Sequence, residues 1–303
     1  MWLHRVTGHA AVIGKESGQH AEGAFQLYPV LREYFICKTP ATATDEQAAV
    51  LGLGLATAGF ALFSKDYCAL DAPTVPPPAN PRPGAAYRRC VIITGGASSL
   101  GSCGIQLARG AGYAVISTCS PHNFDYVRGL GAAHVLDYHS ATLVRDLAAA
   151  TAGYELAACM TVGQGAHETC AAVIKERLAR WPDLPTRKFV ALAGGSRREP
   201  ETLAGGLVIP GLIANMSVLF TRLALRKMFT GVEIKFVMIK DQVNPESTVS
   251  RLYQDYMSEA LATGQFVCAP RAEVVGRGLD AIQDGIEAQK KGVSAAKIVV
   301  SLP

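Results

Sequence analysis

Ten residues, Gly95-Gly96-Ala97-Ser98-Ser99-Leu100-Gly101-Ser102-Cys103-Gly104, follow the apolar run Val91-Ile92-Ile93-Thr94 and lead into a helical pattern. Strand, glycine-rich turn and helix in that order suit a dinucleotide pyrophosphate: helix N-terminal N–H groups face the anion, and positions without side chains let the backbone come close. Gly96, Gly101 and Gly104 stand where those approaches fall, and Ser98 and Ser99 add hydroxyl donors. A glycine cluster alone also serves an ordinary strand-to-helix turn; its place inside a βαβ unit favours the nucleotide.

The next strand, Ala114-Val115-Ile116-Ser117-Thr118, runs into Cys119-Ser120-Pro121-His122-Asn123, with no carboxylate where NAD sites hold the ribose 2′-hydroxyl. Neutral donors there tolerate a 2′-phosphate that a carboxylate would repel, so NADP is the expected cofactor. A polar loop that never meets cofactor is the alternative. Asp125 lies farther on and is expected to cap the following helix.

Other chemistries are disfavoured. The eight cysteines (37, 68, 90, 103, 119, 159, 170, 268) form no CxxC pair, and the seven histidines have no HxxxH spacing, so no metal is expected. Such cysteine usage suits reduced thiols and a cytoplasmic location. A net charge of +4, with only short clusters such as Arg197-Arg198 and Lys290-Lys291, gives no nucleic-acid footprint. The apolar stretches 48–63 and 205–220 are interrupted and fall short of the ~20 residues of a membrane span, and no signal-peptide pattern opens the chain.

The elements that position these residues follow from periodicity. Residues 5–8, 23–28 and 33–37 read as short β segments. Asp45 is expected to cap a helix whose apolar pattern runs on through Phe63 and links two domains. Five prolines within 74–84 make a surface loop. Strands then alternate with helices: strand 90–94, helix 102–110, strand 114–118, helix 123–130, strand 134–137, helix 142–151, strand 156–160, helix 165–179, strand 188–192, strand 233–239 and helix 245–262, before a last strand at 298–302. The fold class is therefore α/β, a doubly wound parallel Rossmann sheet.

With these motifs in hand, the chain resembles the fungal trans-acting enoyl reductases of polyketide pathways, zinc-free medium-chain dehydrogenase/reductases akin to quinone oxidoreductases. The resemblance rests on the Gly95–Gly104 turn, the stretch 117–125, Gly131-Ala132 and Asp137-Tyr138, and covers nearly the whole chain. Arg5–Gly8, Gly23–Phe25 and Asp45–Ala49 are similar to the second half of that family's GroES-like β domain. Gly264–Phe266, Gly278-Leu279 and Lys291–Val300 are similar to its C-terminal segment. Family members begin with a further stretch that carries residues near the nicotinamide, so no catalytic acid is assigned.

The resemblance implies a partial GroES-like domain over 1–59, a Rossmann NADP-binding domain over 60–262, and a C-terminal segment over 263–303 that returns to the catalytic domain. It implies pyrophosphate contacts from Ala97, Ser98, Ser99 and Leu100, 2′-phosphate contacts from Ser120, Pro121, His122 and Asn123, and an adenine contact from Tyr138. Leu192, Ala193, Ser294 and Ala295 are to lie along the nicotinamide half. Thr57, Ala58, Gly59, Phe60, Ala61, Leu62, Phe63 and Ser64, with Val232, Glu233, Ile234, Lys235 and Phe236, match substrate-lining segments. A helix-interior threonine bonding its own backbone is the alternative at Thr57.

The implied activity is NADPH-dependent reduction of an α,β-unsaturated acyl thioester carried by a polyketide synthase or PKS-NRPS carrier domain, by a monomer that binds neither membrane nor nucleic acid. A stand-alone NADPH quinone or enal reductase is one alternative; a catalytically impaired cofactor-binding fragment is another.

Overall fold

Along the strand β3 (Arg88–Ile93) alternate side chains enter different cores: Val91 and Ile93 pack on one face of a sheet, Cys90 and Ile92 on the other. A strand apolar on both faces must be covered on both, which is the condition for a doubly wound sheet. The computed structural model describes residues 5–10, 20–194, 221, 227–228, 230–239 and 244–302. Within them β3, β4 (Ala114–Cys119), β5 (His134–Asp137), β6 (Tyr154–Val162), β7 (Phe189–Gly194) and β8 (Glu233–Phe236) form a six-stranded parallel sheet in the order β5-β4-β3-β6-β7-β8. The chain winds outward in opposite directions from β3 and from β6, leaving a crevice between their C-terminal ends.

Two helices from the N-terminal part, α1 (Asp45–Ala49) and α2 (Gly52–Phe63), precede β3, and α2 lies against α3 (Ser99–Gly110). The close pairing depends on small residues: a Cβ on Gly54 would stand 2.5 Å from Ser99 Oγ. On the opposite face α5 (Leu143–Ala150) and α6 (Ala166–Arg180) bury Leu147, Cys170, Val173 and Ile174. The short α4 (Phe124–Gly129) connects β4 to β5. Arg177 of α6 is fully buried, and its guanidinium donates to the Thr151, Tyr154 and Pro185 carbonyls and the Thr186 hydroxyl. That fan of bonds satisfies a buried cation without a carboxylate and pins the loop leading to β7.

Segments near the two ends of the described residues meet beside α1. The antiparallel pair β1 (Val6–Gly8) and β2 (Ile36–Lys38) and the parallel pair β9 (Arg271–Arg277) and β10 (Ala296–Ser301) both lie beside α1. Arg5 binds Asp45, and Ser301 Oγ donates to Glu46. The helix α7 (Thr248–Arg251) continues through a π-helical stretch, Leu252–Met257, into α8 (Ser258–Ala262), and α9 (Ile282–Lys291) covers β9 and β10.

Several expectations need correction. Residues 23–28 are not a strand: Phe25 and Tyr28 stand exposed, while Val30 N–H and the Gln26 side chain bond back to the Ala21 carbonyl, so the segment coils on itself. The cap of α1 is Thr44, whose hydroxyl accepts from Gln47 N–H while Gln47 bonds back to Thr44 N–H; Asp45 sits inside the first turn. Asp125 caps nothing, since its exposed carboxylate pairs with Arg128. β8 ends at Phe236 rather than Ile239; beyond it Val237 N–H still bonds the Leu192 carbonyl, and the Tyr67 hydroxyl bonds the backbone of Phe236 and Met238 on the other edge. The expected domain boundary at 59/60 lies within α2, the helix expected to link the two domains. The pair Arg197-Arg198 and the apolar stretch 205–220 lie outside the described residues.

Candidate functional site

At the crevice between β3 and β6 the chain must leave one strand and enter a helix within a few residues. Gly95 does so with φ +64, and a Cβ on Gly101 would stand 2.2 Å from the Gly95 carbonyl oxygen, so the first turn of α3 lies directly on the glycine turn. Ser98 is the helix cap: its hydroxyl accepts from Gly101 N–H at 3.0 Å and donates to the Gly95 carbonyl at 2.7 Å. The N–H groups of Ser99 and Leu100 have no acceptor earlier in the helix and remain to meet an anion. Gly96 and Gly104 serve packing. A Cβ on Gly96 would strike Ser117 Oγ at 2.4 Å, and one on Gly104 would strike Met160 Cε at 2.4 Å.

The crevice holds a cleft of about 460 Å³ lined by Thr94, Gly95, Ala97, Ser98, Thr118, Cys119, Ser120, Asn123, Tyr138, Leu143, Val162, Gly163, Gln164, Ala166, Thr169, Val293, Ser294 and Ala295. No Lys, Arg, Asp, Glu or His is among these residues. Thr94 holds the floor together, its hydroxyl donating to Val162 O and accepting from Val162 N–H, which joins the diverging strands. Burial pushes the Cys119 thiol up to about 11, so it stays protonated at neutral pH and is no nucleophile.

The expected residues divide by position. Ala97, Ser98, Ser120, Asn123, Tyr138, Ser294 and Ala295 come together in the cleft. Gly96, Gly101, Leu100 and Ser99 shape it from behind; Ser99 Oγ, expected as a phosphate donor, turns toward α2 instead. Pro121 and His122 start the 3-10 turn Pro121–Asn123 at the cleft rim. Leu192 is buried in the core under the sheet, and Ala193 packs beside the other core. Ser294, expected along the nicotinamide half, accepts from Asn123 Nδ2 at 2.9 Å and lies 3.1 Å from His122 Nε2, so it belongs to the Ser120–Asn123 end.

Of the segment 57–64, Ala58, Gly59, Phe60, Ala61, Leu62 and Ser64 are buried, and only Thr57 and Phe63 are partly exposed. Val232 and Ile234 are buried, Phe236 packs on the core, Lys235 lies over the Tyr67 ring and Glu233 pairs with Lys227. Neither segment lines the cleft.

One side of the cleft went unread in the sequence: Val162, Gly163, Gln164, Ala166 and Thr169, the exit of β6 and the start of α6. The available signal was Gly163-Gln164-Gly165, a second strand-to-helix turn whose glycines take φ +112 and φ +72. Among the described residues no three His, Cys, Asp or Glu side chains stand close enough to hold a metal, and no helix is long and apolar enough to cross a membrane.

The glycine turn, the helix N-terminus and the crevice at the switch point have the form of a Rossmann-type dinucleotide site. No family model matches the chain. It is 39% identical over 300 residues to the dehydrogenase pigH of Monascus ruber, covering 98% of this chain and 76% of that one. It is 29% identical over 299 residues to the trans-enoyl reductase himH of Aspergillus japonicus, covering 98% and 74%. In fold it is similar to an alcohol dehydrogenase superfamily protein from Novosphingobium aromaticivorans, with a TM-score of 0.61, 19% identity and coverage of 93% and 71%. It is similar also to the CurK enoyl reductase, with a TM-score of 0.56, 15% identity and coverage of 89% and 66%. The chain belongs to the fungal family of dehydrogenases and trans-enoyl reductases, and is an oxidoreductase.

Proposed function

We propose that this chain is an NADPH-dependent enoyl reductase that reduces an α,β-unsaturated acyl thioester presented by a polyketide synthase carrier domain. The observation that carries the cofactor choice is one end of the cleft: Ser120, Asn123, Tyr138 and Ser294 offer only neutral donors, and among the described residues no carboxylate lines the cleft to repel a 2′-phosphate. The trans-enoyl reductase name of a relative that matches along nearly the whole chain supports the substrate class.

In this reading the first turn of α3 holds the pyrophosphate, and Ser120 to Asn123 hold the adenosine side with Tyr138 beside the base. The substrate side of the crevice falls to the described parts of 1–59 and of 263–303 outside Val293–Ala295, with Thr57 and Phe63 the partly exposed members of the segment 57–64. The bound nicotinamide supplies a hydride to the β-carbon, and a proton completes the α-carbon. The protein's own contribution is to fix the cofactor's orientation and keep water from the reacting carbon.

Titration of the protein with NADPH and NADH tests the cofactor assignment. NADPH is expected to bind at least about tenfold more tightly, since hydrogen bonds to a charged group contribute roughly 1.5–3 kcal/mol. Equal or tighter binding of NADH contradicts it.

A further inference from the structure

We infer that Ser294, far along the chain from the β4 turn, is a cofactor-discriminating residue whose hydroxyl completes the donor set that His122 and Asn123 begin around the ribose 2′ position. The role rests on the NADPH reading above. It follows from a three-way contact. Asn123 is only 8% exposed, and its Nδ2 donates to Ser294 Oγ at 2.9 Å; His122 Nε2 lies 3.1 Å from the same oxygen and 3.2 Å from Asn123 Nδ2. Residues 171 positions apart in sequence thus close one end of the cleft together.

A serine hydroxyl has one proton to donate and two lone pairs. Ser294 already accepts from Asn123, so its own proton is free for an anion in the cleft whenever His122 carries its proton on Nε2. A hydroxyl that accepts one hydrogen bond is polarised into a better donor for the next. Ser120 Oγ and Tyr138 Oη, 3.3 Å apart, supply hydroxyls from β4 and the loop after β5.

Because no charged side chain among the described residues lines the cleft, a phosphate at this end is held there by a few neutral donors, and loss of one is felt. The neighbour, Ala295, takes φ +47, a left-handed conformation unusual for a residue with a Cβ. Such strain persists where the surroundings over-determine the backbone. Ser294 itself is exposed, so the fold does not depend on its side chain.

The test is calorimetric titration of the full chain and its Ser294→Ala and Ser294→Thr variants with 2′,5′-ADP and with 5′-AMP, two fragments that differ only in the 2′-phosphate. Wild type is expected to prefer 2′,5′-ADP. Ser294→Ala is expected to weaken 2′,5′-ADP about tenfold and leave 5′-AMP within about twofold, as loss of one charge-assisted hydrogen bond implies. Ser294→Thr, which keeps the hydroxyl, is expected to retain the preference. A wild type without preference overturns the NADPH assignment and this role with it. A preference that survives Ser294→Ala, or a loss equal for both fragments, overturns only the role of Ser294 and leaves it a structural tie.

Discussion

Gly101 shows how much of the site is decided by single positions. The sequence placed a glycine there for close backbone approach, and the structure gives the reason as contact with the Gly95 carbonyl rather than a phosphate. Gly101→Ala must push either the turn or the helix aside, and the obstacle is backbone that cannot rotate away. A loss of about 2 kcal/mol or more is expected in chemical denaturation, since overpacking of this kind costs roughly 1–3 kcal/mol, and NADPH binding should fall with it. At Ser120 the consequence is electrostatic. Ser120→Asp should reverse the cofactor preference, read as a fall of about tenfold or more in the NADPH-to-NADH affinity ratio, because a carboxylate repels a 2′-phosphate and accepts from a 2′-hydroxyl.

His9 was not legible as a functional or stability residue from its sequence neighbours. It is held between the Phe35 and Tyr253 rings, and burial lowers its pKa from 6.5 to about 4. Between those values the unfolded chain binds a proton that the folded chain excludes. Stability should therefore fall as pH drops from 6.5 toward 4 and level off below, by about 2 kcal/mol given its remaining solvent access. Urea midpoints across that range should show the slope in the wild type and a flatter one in His9→Gln. Equal slopes would assign the acid sensitivity to other groups.

At the scale of elements, the parallel sheet was readable because strands buried on both faces leave apolar runs between glycine turns and helices. Every strand from β3 to β8 was found, with ends shifted by a few residues. The β segments near the N-terminus were less legible. Val6–Gly8 and Ile36–Lys38 pair as short strands, whereas 23–28 has similar apolar content and pairs with no strand among the described residues. Pairing across the chain decides such strands, and local pattern carries little of it.

The helix α2 was read as a substrate-lining segment, but its position against α3, β7 and α7 buries most of it. Leu55 has no exposed surface there. Leu55→Ala should cost about 2–5 kcal/mol, the usual range for a buried leucine, lowering the denaturation midpoint without changing the ratio of NADPH to NADH affinity. A change in that ratio would tie α2 to the cofactor site.

For the whole molecule, the sequence separated two kinds of information. The Gly95–Gly104 turn and the Ser120–Asn123 stretch announced a dinucleotide crevice, since that chemistry is local to one βαβα run. The contribution of Ser294 depends on how distant parts of the chain meet, and no local spacing encodes it, whereas that of α6 carried the local signal Gly163-Gln164-Gly165. Delivery of the substrate is likewise a property of the assembly. In the proposed reaction, remote contacts with a carrier domain would assist by placing the alkene against the nicotinamide, and the modest charge of +4 would act more on encounter rate than on affinity. The most direct measurement follows the hydride itself. The protein is incubated with NADPH deuterated at both C4 positions and an enoyl thioester on its carrier domain, and the acyl chain is analysed by mass spectrometry. One deuterium on the β-carbon of a saturated chain is the predicted result; an acyl chain left unsaturated and unlabelled, under conditions where the same protein oxidises NADPH with a free quinone, would contradict it.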